Sequence, residues 1–355
     1  MLIMKKIFIS VLIVLVSINF IFSQIPNGYY DNAQGKTGVA LKQALHDIIK
    51  NHTVVSYGSL HSYYQQTDKK SNGKVWDMYS DIPGGIAPYE FNFGTTCGNY
   101  NGEGDCYNRE HSWPQSWFNS DPPMVSDMFH VYPTDGYVNG KRSNYPYGEV
   151  TNPTWTSQNG SKLGPNSFPG YSGTVFEPID SFKGDFARTY FYMSVRYYTE
   201  DAGWQSNAEV TKSEINTWAL KMLYEWNLED TVSKMETDRN NAVYGIQHNR
   251  NPFIDNPEFA HKIWGSILAV ESLDSKFTVN LYPNPAHNNL NISFNSIKNS
   301  SKTNLSIANN IGQTVYKNTI QKGENNIDIS ELIPGIYIVI VSIDNNNSYN
   351  KLIVF

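Results

Sequence analysis

Cysteine is scarce in this chain, runs of lysine and arginine are absent, and beyond the first two dozen residues no stretch is apolar enough to span a bilayer. Two cysteines in 355 residues exclude a disulfide-rich scaffold, so the fold must rest on packed cores. A formal net charge of −6 with no basic cluster excludes a protein that holds nucleic acid by bulk electrostatics. It equally excludes a reader of base sequence, which needs a basic element to enter a groove. No internal repeat is present, which removes solenoids and propellers. What the chain does have is aromatic side chains, at 14%, against only 17% charged residues. That balance belongs to a folded extracellular protein and not to a disordered one.

The start reads as an export signal. Lys5 and Lys6 precede an apolar run over residues 7–22, closed by Ser23 and Gln24. The run is a little short for a membrane anchor, so residues 1–23 are expected to be a cleaved signal peptide and the mature protein to be soluble. In an exported protein Cys97 and Cys106, at the ends of CGNYNGEGDC, are expected to pair, with two unpaired thiols as the other reading. Closing so small a loop contributes on the order of 2.7 kcal/mol on chain-entropy grounds. No histidine lies inside the loop, which speaks against zinc.

The spacing predicts an α+β chain in two parts. Residues 36–50 carry a helical stripe of Val39, Leu41, Ala44, Leu45 and Ile48. A Gly/Pro/Asn-rich stretch over 72–105 predicts loop and short strands, and helical patterns return at 183–198, 212–226, 229–244 and 257–264. Asn256 before Pro257 is a cap followed by a first-turn proline. Short alternating strands follow at 277–282, 290–294, 303–308, 335–343 and 349–355, the pattern of a small all-β sandwich. The expected boundaries are a mainly helical domain at 24–266, a linker at 267–276 and the β-sandwich at 277–355. Residues 24–270 hold 19 basic and 27 acidic side chains, a balance of −8, whereas the tail is neutral. Any polyanionic substrate must therefore be held by a local patch and a bound cation.

The chemistry concentrates in Tyr107-Asn108-Arg109-Glu110-His111-Ser112-Trp113-Pro114, then Ser126-Asp127, then TDGYVNGKRSNYPYG over 134–148. Neighbours on a regular strand face opposite ways, so Glu110 and His111 serve one centre only where a strand ends or bulges. Pro114 predicts such an ending. Thr134 or Asp135 caps a short helix from Gly136, which puts Asn139, Arg142 and Ser143 three and four residues apart on one face. One carboxylate and one amide oxygen suffice for Mg²⁺, which keeps several waters. A neutral imidazole with an ordinary pKa near ~6.5 suits proton abstraction from water. Singly, each residue has an ordinary explanation: a surface hydrogen bond, turn chemistry at Asn139-Gly140, core packing for Trp113, Trp117 and Phe118.

Together, NxEHxxP, D-x-x-x-x-x-P and VNGxRSN resemble the secreted bacterial endonuclease I family, from about Val39 to Trp264. Further matches lie at Val175-Phe176-Glu177-Pro178, at Lys183-Gly184-Asp185 with Ala187-Arg188, and at Arg250-Asn251-Pro252-Phe253-Ile254-Asp255. The resemblance implies a ββα-metal core, His111 as general base, and Glu110 and Asn139 as ligands of a catalytic Mg²⁺, with Mn²⁺ or Ca²⁺ as alternatives. It implies non-specific endonuclease action on DNA, with RNA open, leaving 5′-phosphates. The second nitrogen of His111 needs a partner to fix its tautomer, expected from residues 127–133. Two departures stand out. Asp127-Met128-Phe129-His130 replaces the usual Asp-Leu-His-(His/Asn), so His130 reads as structural. The arginine that some relatives carry between the EH pair and the second strand is missing; its phosphate contact passes to Arg142, Arg188 or Arg250.

The tail resembles the C-terminal sorting domain of type IX secretion, through Leu281-Tyr282-Pro283-Asn284-Pro285-Ala286, Asn310-Ile311-Gly312-Gln313, Gly335-Ile336-Tyr337-Ile338-Val339 and the ending 351–355. The expected partners are nucleic acid and the outer-membrane secretion machinery, and the expected protein is a monomer, secreted or attached to the cell surface. The competing reading is a secreted adhesion or binding module in which Glu110 and Asn139 hold a purely structural cation.

Overall fold

The computed structural model describes residues 25–271, 277–296, 303–309, 313–343 and 346–355. The expected signal at 1–23, residues 272–276 of the expected linker and Asn310–Gly312 of the tail lie outside them. The described chain contains both helices and sheets and divides into two compact units, the break falling between Ile263 and Trp264.

The first unit is organised around one helix. In chain order its elements are α1 (Gly38–Ile49), α2 (Leu60–Thr67), β1 (Tyr107–His111), β2 (Val131–Asp135), α3 (Gly136–Arg142), β3 (Trp155–Thr156), β4 (Lys162–Pro165) and β5 (Thr174–Glu177). Then follow α4 (Lys183–Arg196), β6 (Val210–Thr211), β7 (Glu214–Ile215), α5 (Thr217–Glu229), α6 (Lys234–Gln247) and α7 (Pro252–Asp255), and α8 (Phe259–Glu271) runs across the break. Every side chain of α4 is buried, as befits a helix surrounded on all sides. It packs against α1, α5 and α7, while α2 packs on α6, and α3 rests on β1 and β2. A capping box starts α6: the Ser233 hydroxyl accepts the Glu236 amide at 3.1 Å and the Glu236 carboxylate accepts the Ser233 amide at 2.8 Å. Asn251 caps α7 with Pro252 in its first turn.

Three expectations shift. Val39 is 82% exposed, and Ile49 takes the place expected of Ile48 on the buried face of α1. The pattern over 212–226 is a two-residue hairpin, β6–β7, followed by α5, because Lys212 takes a positive φ of 56° that a helix does not accept. Helix α2 and the sheet β3-β4-β5 are additions that short, mixed sequences did not reveal.

The second unit holds β8 (Phe277–Tyr282), β9 (Asn289–Ser296), β10 (Thr303–Asn309), β11 (Thr314–Ile320), β12 (Gly323–Asp328), β13 (Gly335–Ile343) and β14 (Asn346–Val354). Two antiparallel sheets, ordered β11-β10-β13-β14 and β12-β9-β8, contribute to one apolar core, with Leu290, Ile292 and Phe294 from one sheet and Ile307, Val339 and Val341 from the other. In β13 the alternation is strict, Tyr337, Val339, Val341 and Ile343 inward and Ile336 and Ile338 outward. Strands β11 and β12 were not expected. Both lie at sheet edges, where polar sequences such as GENNID protect against stray pairing and hide the strand pattern. Asn284 of the Pro283–Pro285 segment accepts the Ile353 amide at 3.0 Å and donates to the Lys351 carbonyl at 2.7 Å. Two of the tail's motifs thus clamp each other.

Candidate active site

Strand β1 pairs antiparallel with β2 in unbroken register, Asn108 opposite Thr134, Glu110 opposite Tyr132 and His111 opposite Val131. The strand ends at His111 with no bulge, as Pro114 predicted, and the Ser112 amide makes one more bond to the His130 carbonyl at 3.0 Å. Asp135 then caps α3, its carboxylate accepting the Val138 amide at 2.8 Å. Its other oxygen accepts the Gly104 amide at 2.8 Å, which ties in the loop closed by the Cys97–Cys106 disulfide. Two strands and a helix so deliver Glu110, His111 and Asn139 to one cavity of about 300 Å³.

Glu110 is 2% exposed. Its Oε1 accepts the Tyr79 hydroxyl at 2.9 Å and faces the Arg142 guanidinium at 3.1 Å, while Oε2 accepts no hydrogen bond from the described residues. Burial pushes the carboxyl pKa upward, and Arg142 and Tyr79 pull it back toward the ionised form. Asn139 donates its Nδ2 to Asn108 Oδ1 at 2.7 Å, and its amide oxygen accepts no hydrogen bond from the described residues. His111 Nε2 lies 3.0 Å from the Val125 carbonyl. A carbonyl only accepts, so the proton sits on Nε2 and the lone pair on Nδ1. Burial, then the neighbouring His130 ring, push His111 down to about 3 against the opposing pull of the Val125 carbonyl. The imidazole is therefore neutral at physiological pH. The tautomer is fixed by Val125, just before the segment expected to do it.

The donor set is chemically selective. Among the described residues no three His, Cys, Asp or Glu side chains come together, so no thiolate- or imidazole-rich site of the zinc type is present. One carboxylate oxygen and one amide oxygen, neither hydrogen-bonded among the described residues, fit a hard divalent cation that keeps much of its water. A neutral imidazole lone pair in the same cavity can take a proton from water.

The expected phosphate-binding arginines are placed otherwise. Arg142 lines the cavity but is 1% exposed, and besides Glu110 it donates to the carbonyls of His111 at 2.9 Å and Ser112 at 2.5 Å. It braces the end of β1. Arg188 is buried against Glu236 at 2.6 Å, and Arg250 against Asp255 at 2.6 Å; neither reaches the cavity. The downstream motifs are thereby explained as structure: Lys183 pairs with Glu177 at 2.8 Å, and Arg250 and Asp255 flank the cap of α7. His130 is fully buried and donates from Nε2 to the Met124 carbonyl at 2.6 Å, a structural role as expected. Sequence reasoning missed Asn108, which orients Asn139, and Tyr79, which holds Glu110. It also missed Arg109 and Tyr57 in the cavity wall. The alternation of β1 was the available signal, since Arg109 and His111 stand two residues apart on one strand face.

Residues 37–258 match the family described as Endonuclease I. The chain belongs to that family. Residues 280–355 match the secretion system C-terminal sorting domain. An extracellular ribonuclease of Bacillus subtilis (strain 168) is 35% identical over 248 residues, 66% of this chain and 78% of the relative. The extracellular ribonuclease of Bacillus amyloliquefaciens is 36% identical over 246 residues, with the same shares covered. An extracellular deoxyribonuclease of Aeromonas hydrophila is 25% identical over 250 residues, 63% of this chain and 90% of that protein. As an Endonuclease I family member the protein is a nuclease acting on phosphodiester bonds, and such nucleases are generally dependent on a divalent metal. The sorting domain marks it for secretion, to the medium or the cell surface.

Proposed function

We propose that this nuclease is a non-specific endonuclease that hydrolyses both DNA and RNA through a ββα-metal site, with His111 as general base, leaving 5′-phosphate ends. The observation that carries the reading is the meeting, in one cavity, of the Nδ1 lone pair of a neutral imidazole with two oxygens that accept no hydrogen bond among the described residues. The two substrates are favoured because an extracellular ribonuclease and an extracellular deoxyribonuclease each align with nearly two thirds of the chain.

Glu110 Oε2 and Asn139 Oδ1 would hold the divalent ion, Mg²⁺ first and Mn²⁺ or Ca²⁺ by the same donor preference, and the ion supplies Lewis acidity toward the scissile phosphate and its departing 3′ oxygen. His111 Nδ1 takes the proton of the attacking water. The Val125 carbonyl keeps that nitrogen unprotonated and the ring oriented. An entering phosphate favours the imidazolium, so the basicity of His111 rises when substrate is in place. Arg142 holds the EH pair in shape from behind, through Glu110 and the His111 carbonyl.

The adhesion-module reading requires a cation closed in by its ligands with no base nearby. His111 in the same cavity speaks against it. The test is digestion of supercoiled plasmid and of structured RNA by the mature protein, with and without chelator. Cutting of both, abolished by chelation and restored by Mg²⁺ or Mn²⁺, is expected; cutting of neither would overturn the reading.

A further inference from the structure

We propose that Arg109, seated on Tyr57, is the side chain through which this nuclease grips the substrate phosphate. The inference rests on the nuclease reading above and assigns a contact that the sequence had placed on three other arginines.

The chain has six arginines. Five are committed to carboxylates: Arg142 to Glu110 at 3.1 Å, Arg188 to Glu236 at 2.6 Å, Arg196 to Glu200 at 2.5 Å, Arg239 to Asp68 at 2.7 Å and Arg250 to Asp255 at 2.6 Å. Arg109 has no carboxylate within ion-pair distance among the described residues, although the domain is acidic overall. It lines the same cavity as Glu110, His111 and Asn139. Its guanidinium carbon lies 3.8 Å from the centre of the Tyr57 ring, and Nη1 donates to the Tyr57 carbonyl at 2.9 Å. Tyr57 also stacks toward His111, ring centres 5.8 Å apart at 30°.

That seating fixes the plane of the guanidinium by one aromatic face and one carbonyl. Nε and Nη2 have no acceptor within the protein among the described residues. Two parallel N–H donors on one edge are what two phosphate oxygens accept, and a flat cation stacked on an aromatic ring loses little entropy on binding them. A lysine could supply the charge but not the fork. The position on β1, two residues before His111, brings the grip to the same strand face as the base.

The experiment uses the full mature chain with Arg109→Ala and Arg109→Lys, each also combined with His111→Ala for binding without turnover. Duplex affinity is measured across a monovalent-salt series at fixed Mg²⁺, and cleavage of plasmid and RNA is measured in parallel. Loss of one phosphate contact should flatten the plot of log affinity against log salt by about 0.9. Cleavage by Arg109→Ala should fall on the order of 10²-fold or more, and Arg109→Lys should recover the salt slope but little of the rate. Melting temperatures should stay close to wild type, since no ion pair is lost; a merely structural arginine would lower them and leave the slope alone. Arg109→Ala with an unchanged slope and unchanged cleavage overturns the assignment. A wild-type protein that cuts neither substrate would overturn the nuclease reading instead, and the binding slope would still decide Arg109.

Discussion

Two buried groups show how much a single residue's surroundings decide. His111 has one nitrogen held by a carbonyl and the other facing the cavity, the arrangement that the proposed general base needs. His111→Ala is therefore expected to lower cleavage by roughly 10²–10⁴-fold while Mn²⁺ affinity, read by calorimetry, stays unchanged. Metal affinity lost in step with cleavage would make His111 a ligand. Asp127 is a fully buried carboxylate whose oxygens accept the hydroxyls of Tyr192 and Tyr197, each at 2.7 Å, the Gln247 amide at 3.0 Å and the Phe129 amide at 3.0 Å. Burial by itself would raise its pKa; nearby His52 and His130 and the hydrogen bonds outweigh burial and hold it at about 2. The folded value lies below the unfolded one of about 3.9, so the carboxylate stabilises the fold above about pH 4, and that share is lost as pH falls toward 2. Asp127→Asn should thus be destabilised at neutral pH, and its deficit against wild type in urea unfolding should shrink by about 2 kcal/mol between neutral pH and about pH 2. A deficit independent of pH would rule out the linkage.

At the scale of elements, the crossing of α4 and the end of α5 is set by Gly184. A Cβ there would fall on the Asp230 carbonyl oxygen and within 2.7 Å of the Arg188 guanidinium, and the Gly184 amide donates to the Asp230 carboxylate at 2.9 Å. Alanine ordinarily gains about 1 kcal/mol over glycine inside a helix. Here overpacking against backbone should reverse the sign, for a net loss of about 1–3 kcal/mol in denaturant unfolding. A more stable Gly184→Ala variant would mean that the α5 terminus yields freely. The same scale explains the active site. Glu110 and His111 converge because β1 stops at His111, and Asn139 joins them because Asp135 starts α3 at the end of β2.

For the whole molecule, all the cavity residues belong to the unit before the Ile263/Trp264 break. Ending the chain after Ser266 should leave specific nuclease activity within about a factor of two, while the protein stops reaching the medium or cell surface. The assay is activity in fractionated cultures of a host with the secretion apparatus. Export of the truncated chain would contradict the assignment of sorting to the tail. The neutral tail and the acidic first unit also differ in charge, so removing the tail should not alter the salt dependence of substrate binding.

Local order and local spacing were written in the sequence. Periodicity exposes α1 and most tail strands because each buries a face at a fixed repeat; Pro114 and Asp135 mark where β1 ends and α3 begins because they act on their own backbone. The EH pair and the VNGxRSN segment were legible for the same reason, as short motifs whose chemistry is local. The partners of each charge were not. Arg188 looks as available as Arg109 in the chain, and only the fold places Glu236, 48 residues away, against it while leaving Arg109 on Tyr57, 52 residues upstream. Val125 as the tautomer-fixing carbonyl and Asn108 as the support of Asn139 are likewise products of tertiary packing. Covalent neighbours constrain dihedrals and repeat, whereas solvation, ion pairing and basicity depend on atoms that only tertiary packing brings within reach.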